Sequence, residues 1–197
     1  MLIAFRSKLP GALILAGFFV ANSVYGRQAV GKKQLKASSV SKAEENTLQH
    51  QVRHQIQILP YYSVFDYVTF TIDGGKVTLT GHVLRPTLRK SAEASVKTIE
   101  GVSDVINLIE VLPKSPSDDD TRRAVYRAIF EDSTLQRYAV SDVPQIHIVI
   151  EDGAVYLEGP VTSEGDKNLA GTRASSVSGV TGVKNNLTVH AKNSPPN

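Results

Sequence analysis

The sequence predicts an α+β fold made twice: two tandem two-layer α-β-β-α-β domains, each with two helices packed on a three-stranded mixed sheet. Three observations predict it. Residues 75–111 and 153–189 align without a gap at an offset of 78, sharing Gly75/Gly153, Val77/Val155, Leu79/Leu157, Gly81/Gly159, Gly101/Gly179 and Asn107/Asn185. Within each copy the apolar residues switch between helical and alternating spacing. Glycines punctuate the switches. Most shared residues are glycine or apolar, types that specify turns and cores, so the repetition encodes folding and not a reaction.

In the first copy Leu48, Val52, Ile56 and Leu59 recur at helical spacing. Val68, Phe70 and Ile72 then alternate with threonines, the pattern of a half-buried strand. Asp73-Gly74-Gly75 supplies a tight turn. Val77, Leu79 and Val83 alternate in a second strand that closes a hairpin. Pro86 suits the first turn of a second helix, and Leu88, Ala92, Val96 and Ile99 are its inward stripe. Gly101 stands where a helix C-cap requires positive φ, and a third strand runs from Val102 to Leu112. Mid-strand glycine is unfavourable unless close packing requires it, so a helix is expected to cross tightly over Gly81 and Gly159.

The second copy repeats the order. Its first helix carries Val125, Ala128 and Ile129, followed by Ile146/Ile148/Ile150, the turn Asp152-Gly153, Val155/Leu157/Val161, a helix near 164–177, Gly179, and Val183/Leu187/Val189. Aligning Ile56 with Ile129 leaves five extra residues between the first helix and first strand of this copy, within "EDSTLQRYAVSDVPQ". "PKSPSDDD" reads as a linker whose aspartates suit the start of the next helix. The expected organisation is a signal peptide at 1–26, a basic linker at 27–43, domains at 44–112 and 121–190 joined by a linker at 113–120, and a tail at 191–197. A domain of about 70 residues has a small core and is only marginally stable alone.

The signal expectation rests on layout: a basic start with Arg6 and Lys8, an apolar run from Leu13 to Ala21, and the ending Val24-Tyr25-Gly26. It implies export to the periplasm. The chain has no cysteine, so thiolate catalysis, disulfides, thiolate metal sites and a cysteine-borne lipid are not expected. The net charge of +3 becomes +1 without Arg6 and Lys8, and setting aside Arg27, Lys32, Lys33, Lys36 and Lys42 leaves residues 43–197 at −4. The folded part is therefore acidic and lacks the basic stripe that nucleic-acid binding requires.

"GGKVTLTGHV … IEGVSDVINLIEV" and "DGAVYLEGPV … VSGVTGVKNNLTV" resemble the BON domain, whose pattern is Gly-x-Val-x-Leu-x-Gly-x-Val, a helix, then Gly-Val-x-x-Val-x-Asn. The motif residues are Gly75, Gly81, Gly101 and Asn107 in one copy and Gly153, Gly159, Gly179 and Asn185 in the other. The resemblance implies a non-enzymatic, stress-protective envelope protein that binds phospholipid surfaces. The alternative it leaves open is a protein-interaction or chaperone-like module in an envelope assembly.

The residues themselves offer little chemistry. His50 and His54 are four apart on the first helix but lack further ligands, so a solvated face is the better reading. His82 and His147 read as outward strand residues. Asp118, Asp119 and Asp120 lack the spacing of a calcium loop. No nucleophile elbow or phosphate loop is written, so no catalytic residue, metal or cofactor is assigned. Two features stand out. Arg85, Arg89 and Lys90 cluster at the start of the second helix, where the other copy has Ser163, Lys167 and Asn168; such a cluster can meet lipid phosphates. Tyr67, Ile106 and Leu108 form an apolar outer face where the third strand of the other copy carries polar residues. Something is expected to cover that face, the second domain in preference to another copy or a foreign partner. The oligomeric state stays open.

Overall fold

The computed structural model describes residues 44–140 and 145–190. The expected signal peptide, basic linker and tail lie outside these residues. The first repeat consists of α1 (44–57), β1 (Tyr67–Asp73), β2 (Lys76–Val83), α2 (Pro86–Lys97), β3 (Asp104–Asn107) and β4 (Glu110–Val111). The second consists of α3 (Pro116–Phe130), a 3-10 turn at Gln136–Tyr138, β5 (His147–Glu151), β6 (Ala154–Glu158), β7 (Pro160–Val161), α4 (Glu164–Ser175), β8 (Gly182–Asn185) and β9 (Thr188–Val189). β1 and β2 are antiparallel, with Tyr67 opposite His82 and Asp73 opposite Lys76. β3 and β4 add to β2 in parallel, with Val77 opposite Val105. β5–β6, β6–β8 and β7–β9 repeat this arrangement. The fold is α+β, with two α-β-β-α-β repeats on mixed sheets.

Each helix face that is apolar by spacing lies against its sheet. Val52, Ile56 and Leu59 of the α1 segment join Leu88, Ala92 and Val96 of α2 over Val68, Val77, Leu79 and Val105. Val125 and Ile129 of α3 join Ala170 and Ala174 of α4 over Ile146, Ile148, Ile150, Val155 and Leu157.

The repeated motif residues have local tasks. The hairpin turns hold positive φ at both central positions, Gly74 and Gly75 in one copy and Asp152 and Gly153 in the other, as a type I′ turn demands. A Cβ on Gly75 would lie 2.7 Å from the Gly101 carbonyl oxygen, and one on Gly153 would lie 2.8 Å from that of Gly179, so the repeated glycines work in pairs. Gly101 has φ +90° but does not cap α2, which ends at the right-handed C-cap Thr98. Asn107 donates from Nδ2 to the Arg89 carbonyl at 2.8 Å and accepts the Ile109 N–H at 3.1 Å. Asn185 does the same with Lys167 at 2.7 Å and Leu187 at 3.3 Å. The asparagine thus pins the third strand to the second helix and sets the kink that follows.

Several expectations are corrected. No helix forces glycine at positions 81 and 159. A Cβ there would meet the carbonyl oxygen of the paired strand, Tyr67 at 2.1 Å and Gln145 at 2.0 Å, with φ of +118° and +110°. The stretch 113–120 is not all linker. Ser115 caps α3 by accepting the Asp118 N–H at 3.2 Å, and Pro116 opens the helix, so the three aspartates are helical. His147 points away from its own sheet's helices, yet it is only 7% exposed.

The last correction follows from how the repeats meet. All described residues lie in one compact unit. The loop before β1 docks on the edge strand β5, where the Val64 carbonyl accepts the Ile148 N–H at 2.8 Å. Val64 is part of the second repeat's core, and Phe65 meets the Tyr126 ring at 6.1 Å. His147 lies between the rings of Tyr62 and Tyr67, at 5.7 and 5.5 Å. β5 is therefore buried on both faces. Tyr67 and Ile106 do share a sheet face, but at opposite ends of it: Tyr67 pairs with His82, while Ile106 pairs with Thr78. The second repeat reaches the Tyr67 end through His147 and leaves Leu108 56% exposed.

Candidate functional site

The basic cluster sits at the exposed start of α2. Arg85 is the N-cap in extended conformation, with no side-chain cap, and Pro86 follows at the first helical position. The first turn holds no acid. Arg89 and Lys90 come one turn later, both exposed. Arg85 and Arg89 are four apart on a helical path and share one side. Among the described residues, none of the three cations takes part in an ion pair. The nearest helix acid, Glu93, is held by Lys97 at 2.6 Å and by the Asn107 amide at 3.1 Å, and these contacts, with a smaller pull from the Arg89 charge, keep its carboxyl below the usual range.

Apolar side chains flank the cluster on both sides. The Arg85 guanidinium lies over the Tyr61 ring, 4.9 Å from its centroid, and Tyr61 is 74% exposed. Arg89 reaches the Asn107 carbonyl at 3.5 Å, beside the exposed Leu108. The two sequence features thus meet at one place: Leu108 adjoins the basic cluster, whereas Tyr67 is taken up by the joint between repeats. Tyr61 was missed by sequence reasoning because it breaks no periodicity.

The corresponding corner of the second repeat is different. Ser163 caps α4, and Glu164 and Asp166 occupy its first turn. Asp166 is buried and accepts hydrogen bonds from Tyr138 at 2.7 Å, Thr162 at 3.1 Å and Arg137. Burial pulls its pKa upward, but these bonds and the Ser163 cap outweigh it and hold the carboxyl below its ordinary value. Arg137 is thereby neutralised, and no cationic surface results.

The other candidates fall into structural places. His50 and His54 are exposed on α1, and no group of three metal-competent side chains occurs among the described residues. His82 lies 3.8 Å from Glu110. Asp118 is buried and accepts the N–H groups of Asp152 and Gly153 at 3.1 and 3.0 Å, tying α3 to the β5–β6 turn. Asp119 pairs with Arg122 at 2.6 Å, and Asp120 pairs with Arg123. A concavity of about 880 Å³ lies between the start of α1 and the β1–β2 turn, but Glu44, Glu45, Asp73 and Glu100 line it. Its sign opposes phosphate. Among the described residues no helix is long and apolar enough to cross a membrane.

The pattern of the family described as BON domain matches residues 46–113 and 117–191. The chain is 29% identical over 179 residues to the outer membrane lipoprotein DolP of Haemophilus influenzae, covering 87% of this chain and 89% of that protein. Among solved structures, the C-terminal domain of CdsD, a structural protein of the Type III secretion system of Chlamydia trachomatis, is 14% identical and covers 73% of this chain and 97% of its own, at a TM-score of 0.30. A likeness so slight carries no argument.

Proposed function

The chain belongs to the BON domain family, with two tandem copies, and from that premise we propose that it is a non-catalytic, periplasmic envelope protein whose first repeat binds anionic phospholipid surfaces. The observation that carries this reading is the unpaired basic cluster Arg85, Arg89 and Lys90 at the exposed start of α2, with Tyr61 against Arg85. The envelope setting draws support from the similar Haemophilus protein, which is named an outer membrane lipoprotein.

Each cation close to an anionic membrane contributes on the order of 1 kcal/mol, falling off within a Debye length. Three give about 3 kcal/mol, roughly two orders of magnitude in binding. The test is cosedimentation with vesicles containing phosphatidylglycerol, against vesicles of phosphatidylcholine alone. The protein should bind the anionic vesicles and release them as salt rises. Arg85→Glu with Arg89→Glu and Lys90→Glu should abolish binding while leaving the melting temperature unchanged. Binding that survives the triple change refutes the assignment. The exposed Leu108 beside half-buried Ile106 favours a second reading, a protein-interaction module, which the absence of any vesicle binding would leave standing.

A further inference from the structure

We infer that Tyr61 and Leu108 are two apolar feet that enter the interfacial zone of an anionic bilayer on either side of the α2 cations, a proposal that rests on the lipid-surface reading and says how the surface is seated.

Tyr61 carries the first part of the argument. It is one of two described non-glycine residues with positive φ, at 69°. The other, Asp152, sits in a hairpin turn that requires it. A bulky side chain is uncommon in this region, and such strain persists only where the surroundings impose it. They do so here. Leu59 is buried just before the tip, and the Tyr62 N–H donates to its carbonyl at 3.1 Å. Just after it, the Tyr62 hydroxyl accepts the Val68 N–H at 3.2 Å. The Asp66 carboxylate accepts the Ser63 N–H at 3.0 Å and the Leu84 N–H at 2.8 Å. The loop is fastened on both sides of a residue whose ring is turned outward. Nothing in the core gains from that ring; its contact is the Arg85 guanidinium.

Leu108 carries the second part. It occupies the kink between β3 and β4, held by its N–H to the Leu79 carbonyl at 2.8 Å. The kink is imposed by Asn107, which ties to the backbone of Arg89. Tyr61, Arg85, Arg89 and Leu108 therefore follow one another across the surface, apolar, cationic, cationic, apolar. That order matches an anionic bilayer: phosphates meet guanidinium groups, while a tyrosine ring and an aliphatic side chain sit just beneath. The side chains are few and mounted on a rigid base, so insertion is shallow.

The chain has no tryptophan, so a single introduced one reports on a single position. Tyr61→Trp and Leu108→Trp are made separately, with Val140→Trp as control, since Val140 is 81% exposed on the second repeat. Phosphatidylglycerol vesicles carrying bromine on their acyl chains are added, and sedimentation is measured in parallel. Both foot positions should shift to the blue and be quenched, and the control should do neither. Tyr61→Gly, which suits the backbone there, should keep or raise the melting temperature and weaken vesicle binding roughly tenfold. Sedimentation without quenching at either foot overturns this inference and leaves the lipid-surface reading intact. Equal quenching of the control overturns the orientation. Absence of sedimentation overturns both.

Discussion

Lowering the pH should loosen the joint between the repeats, and His147 should be the cause. Its side chain is buried on the outward face of β5, and its Nδ1 has no hydrogen-bond partner. Burial pushes its pKa below the ordinary value, against a smaller upward pull from the backbone of Asp66 and Ser63 and from the Asp66 carboxylate. The groups facing it cannot readily receive a new charge. The Asp66 oxygens already accept hydrogen bonds from Ser63 and Leu84. Burial pushes the Tyr62 and Tyr67 hydroxyls up, so both rings stay neutral. Glu158, the cross-strand neighbour, is held by the Asn186 amide. As pH falls, the unfolded chain therefore takes up the proton first. Stability is complete above the unfolded value, declines as pH falls through about 6.5, and levels off below the folded value. Going from pH 7.5 to 5.5 therefore removes stability up to a ceiling of about 1.4 kcal/mol, one proton's worth, lost in full only where the folded imidazole takes up no proton. For a unit of this size that ceiling is about 3–6 °C in melting temperature. Calorimetry of the natural chain and His147→Phe at pH 7.5, 6.5 and 5.5 measures it. The variant keeps a ring between the tyrosines and removes an unsatisfied polar atom, so it should match or exceed the natural chain at pH 7.5 and show a flatter profile. Equal pH slopes in the two proteins would refute the reasoning.

Two further stability predictions use the same calorimetry. Gly81→Ala and Gly159→Ala should each cost about 3–5 kcal/mol, because a Cβ meets a strand carbonyl and φ is positive, whereas Gly74→Asn, with φ +55° and nothing within 4 Å, should change stability by less than about 0.5 kcal/mol. Asp118→Ala should cost about 2–4 kcal/mol by leaving the buried Gly153 N–H and its neighbour without their carboxylate; a loss below 1 kcal/mol would show that the turn holds itself.

The fold was legible because it is written twice. Periodicity located the buried faces of α1, α2 and the strands, and the shared glycines marked the turns. What was lost depended on contacts distant in sequence. Nothing near His147 reveals that Tyr62 and Tyr67, some eighty residues earlier, cover it. The glycines at 81 and 159 were rightly seen as tight, but their neighbour is the carbonyl of the paired strand, which spacing along one strand cannot show. The start of α3 was legible only in part: the aspartates point to a helix start, but Ser115-Pro116, a cap followed by a first-turn proline, puts that start at 116, inside the stretch 113–120 assigned to the linker. At the candidate site, the charges at 85, 89 and 90 were visible as a run. Their proximity to Tyr61 and Leu108 was not, because it arises from the α1–β1 loop and the Asn107 kink, both set by tertiary hydrogen bonds.

The central claim, that the first repeat presents an anionic-lipid surface, is tested most directly by amide chemical-shift mapping of the protein with nanodiscs, anionic against zwitterionic. The account predicts perturbations with the anionic discs alone, centred on Tyr61, Arg85, Arg89, Lys90 and Leu108 and fading as salt rises. Perturbations centred on the second repeat, or identical with both kinds of disc, would contradict it.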